Sequence, residues 1–266
     1  MNDNYLPETI RKFVGTEKYT ADKIGESDSE VRIYDNFVLK IQPQSPETDN
    51  EYHIVKWLNG RLPVPSIPAY EIHNGLAYTL MTKAEGKMLC NMDYLQKPEL
   101  VIDIAARGLK MLWETDVSDC PYSVSRLTNR LKAAEYNVTH GIVDIENTEP
   151  ETFGDGSFKN PEELLEWLIN NRPPEDIVLT HGDYCLPNIF AKGDSISGFI
   201  DLGKAGPADR WQDIAIAIRS LDHNFGGRYT DGKRIFDFKP QMLLDALGIG
   251  MNEEKYRYYI LLDELF

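Results

Sequence analysis

Leu179-Thr180-His181-Gly182-Asp183-Tyr184-Cys185-Leu186-Pro187-Asn188, with Gly198-Phe199-Ile200-Asp201-Leu202-Gly203 shortly after it, is the part of the chain whose reading decides the rest. The pattern H-x-D-x-x-x-x-N lies between two strand-like runs, Ile177-Val178-Leu179 and Ile196 to Ile200, and a second aspartate opens a D-x-G turn. Moving a phosphoryl group needs a carboxylate to orient the attacking hydroxyl and oxygen ligands to hold Mg²⁺ against the phosphates. Asp183, Asn188 and Asp201 supply those oxygens in the order of the kinase plan. Each piece alone is weak: an H-G-D turn is common, and Asp-Leu-Gly is more often a strand-end turn than a metal ligand. Their joint order and spacing carry the reading.

Upstream, the chain reads as short strands from Lys18 to Ile41. In Phe37-Val38-Leu39-Lys40-Ile41 a lysine is embedded in an apolar, β-branched run, where its charge needs a partner. The helical stretch Glu47 to Leu58, closed by Asn59-Gly60, offers Glu51 as that partner; a purely structural buried ion pair is the bland alternative. The polar turn from Gly25 to Ser29 could offer N–H groups to phosphates, although it is neither G-x-G-x-x-G nor a Walker A sequence. Ala77 to Met81 reads as a further strand and Thr82 to Gly86 as a linker. Beyond it helices dominate: Val101, Ile104, Ala105, Leu109 and Leu112 recur at helical spacing after Pro98, Pro161 to Leu168 is helical, and helices span Trp211 to Leu221 and Glu253 to Phe266. Thr139 to Lys159 is an acidic, turn-rich insert without periodicity. The expected architecture is α+β, with a small β-rich lobe over residues 1–82 and a larger, mainly helical lobe over residues 83–266.

The 266 residues carry 43 acidic against 28 basic side chains, a formal charge of −15. That balance argues against nucleic acid as a partner and favours cationic ones, the alternative being that the excess acid only aids solubility. Three dispersed cysteines with no C-x-x-C pair suggest neither a disulfide framework nor a zinc site. The segment MNDNYLPETIRKFVG has no apolar core of a signal peptide, and no run reaches the roughly 20 residues of a membrane span. A cytoplasmic protein with no obligate protein partner is the expectation.

At this point the chain resembles the aminoglycoside phosphotransferase family, in its 3'-phosphotransferase (kanamycin kinase) branch. The resemblance runs over essentially the whole length. It rests on Leu39-Lys40, Leu62-Pro63-Val64-Pro65, Asp119-Cys120-Pro121-Tyr122, the His181 to Asn188 loop, Gly198 to Gly203, Ala208-Asp209-Arg210-Trp211-Gln212-Asp213-Ile214-Ala215 and the ending Leu261-Leu262-Asp263-Glu264-Leu265-Phe266. The H-G-D loop is shared by many small-molecule kinases; the I-D-L-G and L-L-D-E-L-F segments are narrower. The resemblance implies a two-lobed protein-kinase-like fold that uses ATP and Mg²⁺ to phosphorylate a hydroxyl of an aminoglycoside. It implies Asp183 as catalytic, Asn188 and Asp201 as metal ligands, and Lys40 on the α- and β-phosphates with Glu51 behind it. It also implies Ser27 in the phosphate-covering loop, backbone groups of Thr82 and Ala84 on adenine, and Arg219, Asp263, Glu264 and the carboxylate of Phe266 on the substrate. Two positions depart from it: Val38 replaces an adenine-stacking tyrosine, and Lys204 replaces a common arginine.

Aminoglycosides are polycations, and Asp263, Glu264 and Phe266 would place three carboxylates at one end of a helix, against its macrodipole. A solvated acidic helix end is the plain alternative. Within enzymes, a kinase for another amine- or sugar-bearing metabolite competes. Outside them, a non-catalytic pseudokinase does, although all five kinase positions are filled. A protein kinase is disfavoured, since no A-P-E segment follows Asp201.

Overall fold

The computed structural model describes residues 6–21, 29–120, 124–154 and 157–266. A short helix α1 (Glu8–Val14) precedes strands β1 (Thr20–Ala21), β2 (Glu30–Ile33) and β3 (Phe37–Pro43). Helix α2 (Pro46–Leu58), β4 (Ala69–His73) and β5 (Leu76–Thr82) follow. These strands form an antiparallel sheet in the order β1-β2-β3-β5-β4. The alternation in β3 explains the embedded lysine. Leu39 and Ile41 are buried on the α1 face with Ile10, Val14, Tyr34 and Leu80, while Lys40 points to the opposite face in register with Val31 and Thr79. Burying Leu39 alone is worth roughly 2 kcal/mol.

Helix α2 begins in a reciprocal capping box, Ser45 with Thr48, which explains its firm start. Although it lies between strands in sequence, its buried residues Ile54, Val55 and Leu58 join the large C-terminal core and not the small sheet core. Asn50 ties it further, donating from Nδ2 to the carbonyls of Gly203 and Ala205, both at 2.9 Å.

After β6 (Lys87–Met88) and α3 (Met92–Leu95) come α4 (Pro98–Trp113), α5 (Leu127–His140) and α6 (Pro161–Asn170). The remaining elements are β7 (Ile177–Thr180), β8 (Ile189–Lys192), β9 (Ser195–Phe199), β10 (Gly206–Asp209), α7 (Arg210–Gly226), α8 (Pro240–Leu247) and α9 (Glu253–Asp263). β6, β8 and β9 make a small sheet, and β7 pairs with β10. The α+β expectation is met: a β-rich amino-terminal part and a mainly helical remainder. The insert begins later than the sequence implied, because Thr139 and His140 close α5, ended by Gly141 in the left-handed region. The last helix stops at Asp263, and Leu265 and Phe266 turn away from it; the Asn137 amide donates to the Leu265 carbonyl at 2.9 Å.

Candidate functional site

The loop between β7 and β8 carries His181 to Asn188, and its backbone is held from several sides. Asp213, fully buried on α7, accepts from His181 N–H at 2.6 Å and Gly182 N–H at 2.9 Å. Ser220 on the same helix accepts from Leu186 N–H at 2.9 Å, and the Tyr184 hydroxyl donates to the Ala105 carbonyl of α4 at 2.8 Å. Gly182 has φ +85°, and a Cβ there would lie 2.2 Å from the Lys204 carbonyl oxygen, so only glycine fits. These contacts fix the loop before its functional side chains are considered.

Asp183 is partly buried, and the Asn188 amide donates to its carboxylate at 3.0 Å and to its carbonyl at 3.1 Å. Turned this way, Asn188 keeps its side-chain oxygen free of hydrogen bonds to the described residues. Asp201 follows β9 in the left-handed region at φ 59°, a conformation that aspartate tolerates better than most side chains. Its Oδ1 accepts from Lys40 Nζ at 2.7 Å, while Glu51 accepts from the same ammonium at 3.4 Å. Burial opposes the Lys40 charge, but Glu51 and then Asp201 outweigh it and hold its pKa above the ordinary lysine value. Lys40 is therefore a cation at any physiological pH. Lys40 thus joins Asp201 to Glu51, and the Ile200 N–H, next to Asp201, donates to the Asn188 carbonyl at 3.1 Å, tying this ion-pair group to the loop of Asp183.

A divalent ion that keeps waters and phosphates among its ligands asks for few, hard protein oxygens. Asp201 and the free oxygen of Asn188 are such a pair, so the residues present fit Mg²⁺.

At the hinge Thr82 is partly engaged within the protein. Its N–H already donates to the Ser66 carbonyl at 2.9 Å, and its hydroxyl accepts from Ser66 N–H at 2.9 Å, because the chain entering β4 closes against the end of β5. Ala84 differs: its N–H and carbonyl make no hydrogen bond to the described residues. Ser27 lies outside the described residues, as do Pro121, Tyr122 and Asp155.

Arg219, Asp263, Glu264 and Phe266 do come together, in an unexpected arrangement. Arg219 on α7 pairs with Asp263 and, at 3.1 Å, with Glu264. The acids at the end of α9 are thus already countered inside the protein, and the solvated-helix-end alternative fails. Burial raises Asp263, but Arg219, Lys204 and Arg130 outweigh it and hold the carboxyl below its usual range; burial pushes Glu264 up. Glu149 of the acidic insert donates its N–H to Glu264 at 2.7 Å, and its carboxylate meets His223 at 3.0 Å and Arg228 at 3.4 Å. Glu149 thereby ties the insert to His223 of α7 and to Glu264 at the end of α9. Beside it a cavity of about 590 Å³ opens among Glu149, Glu151, Arg219, Asp222, His223 and Tyr256.

Asp213 and Arg130 were not singled out as functional from the sequence. Asp213 fell inside a segment quoted for its resemblance, and Arg130 occupies an apolar stripe of α5 that carries no motif.

The profile of the phosphotransferase enzyme family matches residues 18–241. The aminoglycoside 3'-phosphotransferase of Enterococcus faecalis is 37% identical, covering 94% of this chain and 95% of that protein. The Staphylococcus aureus protein of the same name is 36% identical over the same shares. Among solved structures, an aminoglycoside 3'-phosphotransferase of type VIII superposes with a TM-score of 0.77 at 23% identity over 94% of both chains. A Streptomyces rimosus aminoglycoside phosphotransferase, solved with ADP and streptomycin, gives 0.77 at 22% identity, covering 97% of this chain and 96% of that one.

Proposed function

Since the chain belongs to the aminoglycoside phosphotransferase family, in its 3'-phosphotransferase branch, we propose that it transfers the γ-phosphoryl group of ATP to the 3'-hydroxyl of aminoglycosides such as kanamycin and neomycin, conferring resistance. The observation that carries the chemistry is the pairing of Lys40 with Asp201 and of Asn188 with Asp183 on segments joined by the Ile200 N–H to Asn188 carbonyl bond.

In this reading residues 1–82 cover the nucleotide and residues 83–266 carry catalysis and the acceptor. Ala84 receives the adenine edge at the hinge, where Thr82 has only its carbonyl left to offer. Ser27 belongs to the loop over the phosphates. Lys40, braced by Glu51, releases Asp201 and grips the α- and β-phosphates. Asp201 and Asn188 would hold Mg²⁺, which would supply positive charge against the phosphates. Asp183 orients the drug hydroxyl and takes its proton. The hydroxyl oxygen bonds to the γ-phosphorus as the bond from that phosphorus to the bridging β-phosphate oxygen breaks, and ADP leaves with the electron pair. Asp263, Glu264 and the Phe266 carboxylate receive ammonium groups of the drug, which replace part of their contact with arginine; Arg219 stays as their spacer.

The test is incubation with Mg-ATP and a panel of aminoglycosides, with NMR mapping of the phosphorylated position. Asp183→Ala should bind ATP normally while kcat collapses by at least about 10³-fold, since removing a group used in the transition state acts on turnover. Asn188→Ala should need more Mg²⁺ for half its maximal rate. Phosphate on no aminoglycoside, or near-normal turnover by Asp183→Ala, overturns the reading.

A further inference from the structure

Arg130 is a buried cation with a divided allegiance. Its side chain is only 6% exposed, and it reaches two acceptors that belong to different parts of the site. Nη1 donates to the Gly182 carbonyl at 3.4 Å, and Nη2 donates to Asp263 at 3.4 Å. The guanidinium also lies over the Phe266 ring, 4.5 Å from its centroid, while Lys204 approaches that ring at 5.4 Å. The residue before Asp183 is therefore gripped at both ends. Its N–H is held by Asp213 on α7, and its carbonyl is held by Arg130 on α5.

Both contacts of Arg130 are long for charge-assisted bonds, whose usual length is about 2.7–2.9 Å. The guanidinium is thus shared between a loop carbonyl and a carboxylate that Arg219 also pairs with. Anything that neutralises Asp263 shifts the balance toward Gly182.

We propose that Arg130 is a positioning residue that reports occupancy of Asp263 to the catalytic loop: an ammonium group bound at Asp263 releases the guanidinium to close on the Gly182 carbonyl and firm the peptide that precedes Asp183. The proposal rests on Asp263 being a seat for the cationic acceptor. It makes the chemistry faster when the acceptor is present than when water alone is available.

Two substitutions should move drug-free ATP hydrolysis in opposite directions. Asp263→Asn removes the competing charge and should raise hydrolysis about threefold, an effect that a residue used only to hold the drug would not have. Arg130→Lys keeps a cation near Asp263, but one ammonium on a flexible stem does not serve both acceptors as the planar fork does. Hydrolysis should fall about tenfold, with the ATP Kd unchanged by calorimetry. In the Arg130→Lys background, Asp263→Asn should have no further effect. Hydrolysis that is unchanged in Asp263→Asn, or additive effects in the double variant, would overturn the proposal, and neither measurement needs the drug. If Arg130→Lys does not fold, the sign of the Asp263→Asn effect alone decides. Failure of the wild type to phosphorylate any aminoglycoside would count against the function proposed above and would remove the seat on which this coupling rests.

Discussion

Asp213 is a carboxylate with no water to hydrate it and two backbone N–H groups to satisfy. Burial raises its pKa to about 7, against the lowering effect of those donors and with a further push from the Asp183 charge. The folded protein thus holds this proton more tightly than an unfolded chain, where aspartate titrates near about 3.9. By linkage, the stability it contributes is full below that unfolded value and is lost as pH rises through about 7. Activity should run the other way. Below about pH 7 the added proton blocks one acceptor, one loop N–H is released, and kcat should decline. A kcat–pH profile checks this. Asp213→Asn, which turns an amide N–H toward a backbone N–H, should be slower by about tenfold, equivalent to ~1.4 kcal/mol, and should lack that acid limb. Retention of the same limb in the variant would assign the titration to another group.

Helix α4 shows how closely one element can govern another. Gly108 faces Tyr184, and a Cβ there would sit 2.0 Å from the tyrosine hydroxyl oxygen, itself bonded to Ala105. Alanine gains about 1 kcal/mol over glycine in a helix interior, but overpacking a rigid buried contact costs up to about 3 kcal/mol. The clash wins. Gly108→Ala should lower Tm by roughly 5 °C and slow turnover by displacing the catalytic loop. Gly226→Ala, with open space around it at the end of α7, should do neither. Thermal melts of the two variants decide the point. Elements such as α4 and β3 were legible because their signals are local: apolar spacing behind Pro98, and strict alternation around Lys40. Helix α5 was missed because it starts without a side-chain cap and its buried stripe, Leu127, Arg130, Leu131, Ala134 and Val138, includes an arginine. The site divides the same way. Asp183 and Asn188 share one loop and can be read as a motif, whereas Asp213 and Arg130 meet that loop only through folding. Asp263 and Glu264 stood out in the sequence and Arg219 was named beside them through the resemblance, but that Arg219 pairs with both acids emerges only from the fold.

Across the whole molecule the charge of −15 acts on two substrates of opposite sign. Its field gathers a polycation and disfavours ATP. Raising salt from about 0.1 to about 1 M shortens the screening length from about 10 to about 3 Å, so KM for kanamycin should rise severalfold while KM for ATP holds or falls. Initial rates at both salt levels test this, and a parallel rise in both constants would contradict it. One further consequence follows from where α2 packs. The helix bearing Glu51 is built into the larger body through Ile54, Val55, Leu58 and the two Asn50 bonds, whereas the strand bearing Lys40 belongs to the small sheet with its own core. A partner that acted by swinging this helix outward would have to tear open the main core. Control by that route is closed to this molecule.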